Sequence, residues 1–191
     1  MGNDIVLSRF ISFILRHKPS AIDLKMDSQG YVEVNKLIRG MNKVGHIIDL
    51  PTLERIVDED DKNRYSFSRD GSKIRANQGH SIKGLNLDLV LVDDIDKLYH
   101  GTASRNICDI LTQGIKPMQR EYVHLTDDIE VATAVGKRYG DAIVLDVDTK
   151  AMIRDGLNIY RSTNGVFLTK YVSPDYLAEY IFEKKMIKRG N

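Results

Sequence analysis

The stretch FILRHKPSAIDL contains an adjacent arginine and histidine, Arg16 and His17, at the end of an apolar run and just before Pro19. A guanidinium stays protonated and binds phosphate oxygens in pairs, and an imidazole can contact an anion or move a proton near neutral pH. The pair could therefore belong to a site that handles phosphate. A basic pair near the carboxyl end of a helix also stabilises the helix dipole, and the dipeptide alone favours that structural explanation.

Both residues depend on an amino-terminal helix for their position. Apolar residues recur at helical spacing from Leu7 to Leu15, and Pro19 limits how far the helix can continue. We therefore expect Arg16 and His17 in its last turn.

The rest of the first half predicts two more short helices and a ribbon. NKLIRGMN and DLPTLERIVDED have helical patterns, the second with Asp49 as its N-cap. NRYSFSRDGSKIRA alternates across Asp70 and Gly71, which predicts a hairpin with Arg64 on its first strand. Three short helices closed by a hairpin are typical of a winged helix.

The second half predicts strands interleaved with helices. KLYHGT, YVHLT and AIVLDVD have strand patterns, whereas SRNICDILTQG predicts a helix with Ser104 as its cap and Gly114 at its end. DIEVATAVGKRYG predicts a helix that also ends on glycine, LNIYRSTNGVFLT a hairpin turning at Asn-Gly, and VSPDYLAEYIF a turn and a last strand. The predicted fold class is α+β, with one lobe at 1–85, a connector at 86–95 and a second lobe with a mixed or antiparallel sheet at 96–191.

Composition excludes several classes of protein. The 191 residues carry a net charge of +1, and residues 1–80 hold 13 Lys and Arg against 11 Asp and Glu, so a broad basic surface for duplex nucleic acid is excluded. Cys108 is the only cysteine, and the five histidines lack the close spacing of zinc sites. No apolar run reaches eighteen residues and the amino terminus has no signal-peptide pattern. We expect a cytoplasmic monomer with no metal and no membrane partner.

Four separated blocks of the chain, in the same order, resemble the Tpt1/KptA family of NAD-dependent RNA 2′-phosphotransferases. The blocks are LSRFISFILRHKPSAIDLKMDSQGYV, DDKNRYSFSRDGSKIRANQGHSI, LYHGTASRNICDILTQGIKPMQREYVHLT and VFLTKYVSP. A short motif such as HGT or LRH would recur by chance in unrelated proteins, but four separated blocks in the same order are far more specific. The resemblance implies an amino-terminal winged-helix lobe that presents RNA bearing a 2′-phosphate, tRNA-like or an oligonucleotide, and a carboxyl-terminal lobe of the ADP-ribosyltransferase kind that holds NAD.

The resemblance also implies a reaction. An internal RNA 2′-monophosphate is transferred to NAD through an RNA-2′-phospho-ADP-ribose intermediate. The products are nicotinamide, RNA with a free 2′-hydroxyl and ADP-ribose 1″,2″-cyclic phosphate. Metal ions are not implied.

Site residues follow from the matching positions. The implied catalytic residues are Arg16, His17, Arg64 and Arg120. The implied NAD-binding residues are His100, Gly101, Thr102, Ser104, His124 and Val166. We interpret the segment KIRANQGHS as part of the RNA side, through Arg75, Asn77, Gln78, Gly79 and His80. Each also has an ordinary structural explanation, such as a solvated arginine, a core histidine, a helix cap or packing between lobes.

Val166 stands where most protein-modifying ADP-ribosyltransferases carry a glutamate. Such a carboxylate helps to activate a weak nucleophile, whereas a phosphate is already anionic near pH 7 and would be repelled by it. Val166 therefore favours phosphate as the attacking group.

Two other functions remain open at this stage. ADP-ribosylation of a terminal phosphate of RNA or DNA would use the same residues and differs only in substrate. A non-catalytic winged-helix protein that binds nucleic acid would need a basic recognition helix, and DLPTLERIVDEDD is net acidic.

Overall fold

The structure, a computed structural model, describes residues 2–179 and combines helices with three sheets that contain antiparallel pairs. The chain forms two compact units, each assembled from separate segments. Unit 1 contains the described residues up to Val92, together with Lys116–His124 and Ile159–Lys170. Unit 2 contains Asp93–Ile115, Leu125–Asn158 and the described residues from Tyr171 onward. The predicted α+β fold class is confirmed, since the described residues combine helices with antiparallel strands.

The predicted domain limits were contiguous, whereas the compact units are not. Two later segments, 116–124 and 159–170, belong to unit 1, and residues 90–92 of the predicted connector form a strand. Residues 180–191 of the predicted second lobe, with the end of its last strand, lie outside the described residues. The winged-helix and ADP-ribosyltransferase assignments of the two lobes stay predictions.

The helices of unit 1 follow the predicted patterns. They are α1 (Gly2–Arg16), α2 (Val34–Lys43) and α3 (Leu50–Asp58). Helix α1 buries one face because its apolar side chains recur every three or four positions, and Asp49 accepts the backbone N–H of Thr52 at 3.0 Å to cap α3. The fully buried side chains of α1 are Leu7, Ile11, Ile14 and Leu15.

Two small sheets complete unit 1. The first has the order β1-β3-β2, from β1 (Val32–Glu33), β2 (Tyr65–Phe67) and β3 (Lys73–Ala76). The second has the order β4-β8-β9-β6, from β4 (Val90–Val92), β6 (Val123–Leu125), β8 (Ile159–Arg161) and β9 (Phe167–Thr169). Both predicted hairpins, β2–β3 and β8–β9, are confirmed as antiparallel pairs.

The described residues of unit 2 form one sheet and three α-helices. The sheet has the order β10-β7-β5, from β5 (Leu98–Ala103), β7 (Ala142–Val147) and β10 (Leu177–Glu179). Its helices are α4 (Ile107–Gln113), α5 (Ile129–Lys137) and α6 (Thr149–Arg154), and α5 packs across β5 and β7. Gly114 ends α4 with φ +76°, as its position in the sequence predicts.

Three details of unit 2 differ from the expectations. Ser104 is not a helix cap: it begins a 3₁₀ turn without a side-chain cap bond, and its backbone N–H donates to Asp141 O at 2.8 Å. Helix α5 ends before Gly140, because Arg138 and Tyr139 donate to carbonyls three residues back, as in a turn. Helix α6 was not predicted.

Helix α5 lies very close to β5 at Gly101. A Cβ placed on Gly101 would lie 1.7 Å from the carbonyl oxygen of Ala132, a backbone atom of α5. Gly136, within α5, has a similar limit, since its Cβ would lie 2.7 Å from Thr102 O. Only glycine therefore allows this contact between helix and strand.

We expect Gly101→Ala to lower the free energy of unfolding by at least about 3 kcal/mol, because a methyl group cannot fit without separating α5 from β5. Gly156→Ala is the matched control in unit 2: its φ of +82° strains an alanine, but open space surrounds it. It should cost only about 1–2 kcal/mol. Urea unfolding measures both, and equal losses would contradict the close contact.

Candidate active site

Arg16 lies at the carboxyl end of α1, directly after the fully buried Leu15. The side chain follows the core and is partly buried with it. Its Nε and Nη2 atoms are inaccessible to solvent and have no hydrogen-bond partner among the described residues. Burial of a charged donor without a partner costs free energy, so this guanidinium is suited to bind an anion by donating hydrogen bonds to it.

Gly79 provides the surface against which the Arg16 guanidinium packs. A Cβ on Gly79 would lie 3.4 Å from both Cζ and Nε of Arg16, and the φ of Gly79 is +88°. The same segment is fixed to the end of α1, because Ser81 donates its backbone N–H to Arg16 O at 3.0 Å. Glycine is therefore favoured here by its positive φ, whereas a Cβ would meet the guanidinium only at an ordinary van der Waals distance.

His17 follows Arg16 and is exposed on one side. Its Nδ1 lies 3.1 Å from Ser81 Oγ, so the 79–81 segment also fixes this ring. Burial first, and then the charges of Arg16 and Arg120, lower the pKa of His17 below its usual 6.5. The imidazole is therefore mostly neutral at pH 7 and can accept a proton.

Arg64 immediately precedes β2, so it lies at the start of the predicted wing strand. Its Nη1 donates to Asp60 Oδ1, and its backbone N–H donates to Asp60 Oδ2. The Asp60 side chain is only 5% exposed, whereas that of Arg64 is 33% exposed. A buried carboxylate thus holds a partly accessible guanidinium.

Arg120 lies in the loop before β6, and His124 lies within that strand. Nη1 of Arg120 contacts Nδ1 of His124. The loop is joined to the 79–81 segment, since Glu121 donates its backbone N–H to His80 O at 3.1 Å. His124, assigned to the NAD side by the resemblance, is therefore a direct neighbour of a residue assigned to phosphate.

The charges of these arginines are close enough to perturb one another. Burial, and then repulsion by Arg120 and Arg64, lower the pKa of Arg16 to about 10, while Tyr65 and Asp60 act in the opposite direction. The side chain remains protonated at pH 7. An incoming anion would relieve this repulsion, which makes the cluster a strong site for a phosphate.

His80 is buried beside this cluster. It is 3% exposed, and neither ring nitrogen has a partner among the described residues. Burial, followed by the charges of Arg16, His17 and Arg75, lowers its pKa to about 4. A small cavity adjoins it, lined by Gly79, His80, Leu87, Arg120, Glu121, Tyr122, His124 and Leu168.

Two residues predicted to bind RNA make contacts within the fold, although Nε of Arg75 is buried without a hydrogen-bond partner among the described residues. Arg75 is 4% exposed, and its Nη2 donates to Asp88 Oδ2 at 2.7 Å. The Asn77 side chain accepts from Ser66 Oγ at 2.8 Å and donates to Asn63 O at 2.7 Å. These contacts stabilise the hairpin and its surroundings, and a role in RNA binding stays a prediction, as it does for the half-buried Gln78.

Four residues predicted to bind NAD lie together in unit 2. His100 is half-buried within β5, and Gly101 is explained by its contact with α5. Thr102 is 5% exposed, and its hydroxyl accepts from Asn106 Nδ2 at 3.3 Å. Ser104 is exposed at the end of the strand. Ser104 thus offers an exposed side chain, His100 is half-buried, and Thr102 is buried beside Asn106.

Val166 lies in the β8–β9 turn of unit 1. Its carbonyl accepts from the backbone N–H of Ser162 at 2.9 Å and its own N–H donates to Ser162 Oγ at 3.1 Å. The side chain is half-buried. Unit 1 thus contains Val166 and His124, in addition to all four residues assigned to catalysis.

The sequence analysis missed two residues that organise the cluster, Asp60 and Ser81. An acidic residue four positions before Arg64 was a usable signal for the first. The contact between Ser81 and His17 joins residues 64 positions apart, and no local pattern indicates it.

The cluster defines the class of site: three arginines and a neutral histidine on an α+β scaffold form an anion site suited to phosphate. Among the described residues, no group of three or more His, Cys, Asp or Glu side chains is placed to hold a metal. The same part of the chain contains no helix long and apolar enough to cross a membrane.

Comparison with known proteins identifies the family. The model of the family described as "RNA 2'-phosphotransferase, Tpt1 / KptA family" matches residues 2–171. A relative from Fusobacterium nucleatum, described as "Probable RNA 2'-phosphotransferase", is 48% identical over 178 residues, 93% of this chain and 99% of the relative. Relatives with the same description from Acaryochloris marina and Agrobacterium fabrum are 42% and 44% identical, over 91% and 89% of this chain and 95% and 91% of their own lengths. The chain belongs to the Tpt1/KptA family of RNA 2′-phosphotransferases.

The buried His80 predicts a loss of stability in acid. The unfolded chain binds a proton at this residue near pH 6.5, whereas the folded protein does so only near pH 4, so the free energy of unfolding falls as the pH drops between those values. The slope approaches about 1.4 kcal/mol per pH unit. We expect the native protein to lose about 2 kcal/mol more than His80→Gln between pH 6.5 and pH 5. Urea unfolding at both pH values measures this, and equal losses would show that His80 is not held neutral.

Proposed function

We propose that the protein transfers an internal RNA 2′-monophosphate to NAD. The products would be nicotinamide, RNA with a 2′-hydroxyl and ADP-ribose 1″,2″-cyclic phosphate. The observation that carries the proposal is the pair of buried Arg16 nitrogens, which have no partner in the described part of the chain and lie in a cluster with Arg64, Arg120 and His17. Such a cluster favours a ligand with concentrated negative charge, and family membership indicates which phosphate it is.

In the first step, an oxygen of the RNA 2′-phosphate attacks C1″ of the nicotinamide ribose. A bond forms between that oxygen and C1″, and the bond from C1″ to nicotinamide breaks with its electron pair going to the departing ring. The arginines position the phosphate, which needs no base because it is already anionic. Val166, rather than a carboxylate, agrees with this requirement.

In the second step, the ribose 2″-hydroxyl of the RNA-2′-phospho-ADP-ribose intermediate attacks the phosphorus. The bond between phosphorus and the RNA 2′-oxygen breaks, and that oxygen gains a proton to become the 2′-hydroxyl. His17, neutral at pH 7, would accept the proton of the attacking hydroxyl, while the arginines stabilise charge on the phosphate oxygens.

NAD would be held through His100, Gly101, Thr102 and Ser104, with His124 facing the nicotinamide side and Val166 at the position where most protein-modifying ADP-ribosyltransferases carry a glutamate. The exposed Ser104 supports this assignment, and His100 is half-buried within β5. In the same proposal, the amino-terminal lobe is a winged helix that presents RNA, the second lobe is of the ADP-ribosyltransferase kind, and the protein acts as a cytoplasmic monomer.

The direct test incubates the protein with NAD and two oligonucleotides, one with an internal 2′-phosphate and one with a terminal phosphate. We expect removal of the internal phosphate with formation of ADP-ribose 1″,2″-cyclic phosphate, identified by mass spectrometry. Omission of NAD should abolish the reaction. A stable ADP-ribosylated terminal phosphate, with the internal phosphate untouched, would establish the alternative activity instead.

The cluster should matter most in the second step, where charge develops on the phosphate oxygens. Arg16→Ala, His17→Ala and Arg64→Ala should each slow that step by about 10²–10³-fold and let the RNA-2′-phospho-ADP-ribose intermediate accumulate. Rapid-quench sampling with labelled RNA measures both steps. Arg39→Ala, which removes an exposed arginine of α2, is the control and should behave like the native protein. Equal slowing of both steps in all three variants would refute the assignment of these residues to the second step. Arg120, near His124, is expected to act in both steps.

A further inference from the structure

Asp60 is a buried carboxylate to which the sequence analysis assigned no role. Its two oxygens bind the same residue, Oδ1 accepting from the Arg64 guanidinium and Oδ2 from the Arg64 backbone N–H. The backbone of the intervening turn is also closed on Asp60, since Asn63 donates its N–H to Asp60 O at 2.7 Å. One side chain thus fixes both ends of the Arg64 residue.

This arrangement limits how Arg64 can move. A free arginine side chain has several rotatable bonds and loses much conformational entropy when it binds a ligand. With its backbone and Nη1 both bound to one buried group, Arg64 is already restricted. The contact with Asp60 uses Nη1 alone among the guanidinium nitrogens, and the side chain remains a third exposed. The other donors are available to a phosphate.

We propose that Asp60 is a positioning residue that holds the Arg64 guanidinium in the orientation needed for phosphate transfer. Asp60 acts through Arg64 and does not itself contact the substrate. The proposal rests on the proposed function, because it concerns the second step of that reaction.

The carboxylate also explains how several cations can share this region. Asp60 opposes the effects of burial and of Arg120 and Arg64 on Arg16, whose pKa it raises. One internal negative charge therefore partly compensates the arginines before the substrate arrives. Because it is bound to Arg64 on both oxygens, it cannot readily turn toward the incoming phosphate and repel it.

The test is a double-mutant cycle of Asp60→Asn and Arg64→Ala, read by rapid quench with RNA bearing an internal 2′-phosphate. Asp60→Asn keeps the shape of the side chain and removes its charge. We expect it to slow the second step by about 10- to 100-fold, so that the RNA-2′-phospho-ADP-ribose intermediate accumulates, with little change in the first step. In the Arg64→Ala background the same substitution should have no further effect on the second step.

Asp61→Asn is the matched control: it removes an equal charge one position along the chain from an exposed residue, and should leave both steps unchanged. Asp60→Glu, which keeps the charge but shifts it, should give a smaller defect in the same step and serves if Asp60→Asn folds poorly. Equal slowing of both steps, or a full extra defect in the Arg64→Ala background, would overturn the positioning role. Failure of the native protein to release the 2′-phosphate would instead contradict the proposed function itself.

Discussion

The partly buried guanidinium of Arg16 is the constraint on which unit 1 depends. Two of its nitrogens lie out of solvent with no partner in residues 2–179, a situation that costs about 1–3 kcal/mol for a neutral group and more for a charged one. The buried face of α1 and the packing against Gly79 together keep the side chain in this position. A fold that maintains such a cost is organised for a ligand that removes it, and a phosphate does so by accepting the unused hydrogen bonds.

Local sequence patterns were sufficient to predict most helices and strands, and the positions where several of them end. Helical periodicity predicted α1 with Arg16 in its last turn, and paired alternation around Asp-Gly and Asn-Gly predicted both hairpins. The local pattern was wrong for Ser104, which it predicted to be a helix cap. A serine before an amphipathic stretch caps a helix only if the chain enters the helix at that residue. At Ser104 the strand leads into a 3₁₀ turn, and its N–H is bound by Asp141, a distant residue.

The site was harder to predict because long-range contacts assemble it. Residues 116–124 and 159–170 join unit 1 through sheet pairing and loop contacts that the chain order does not indicate, which is why the predicted limits were contiguous. The resemblance supplied Arg16, His17, Arg64 and Arg120, whereas the sequence analysis did not assign the groups that hold two of them, Asp60 at Arg64 and Ser81 at His17. Sequence motifs indicate residues proposed to contact a ligand more readily than they indicate the residues that hold those side chains in position.

In the proposed reaction, the arginines and His17 have different roles because their pKa values differ. Arg16 stays protonated at pH 7 even with its pKa lowered, whereas burial, and then the positive charges of Arg16 and Arg120, lower the pKa of His17 and keep it mostly neutral. A bound phosphate reverses part of that effect, since a negative charge beside an imidazole raises its pKa. In the proposed reaction, the substrate therefore makes His17 a better proton acceptor just when the second step needs one. The arginines thus have two effects in this proposal. They bind the phosphate, and their charges lower the pKa of His17 until a bound phosphate partly offsets them.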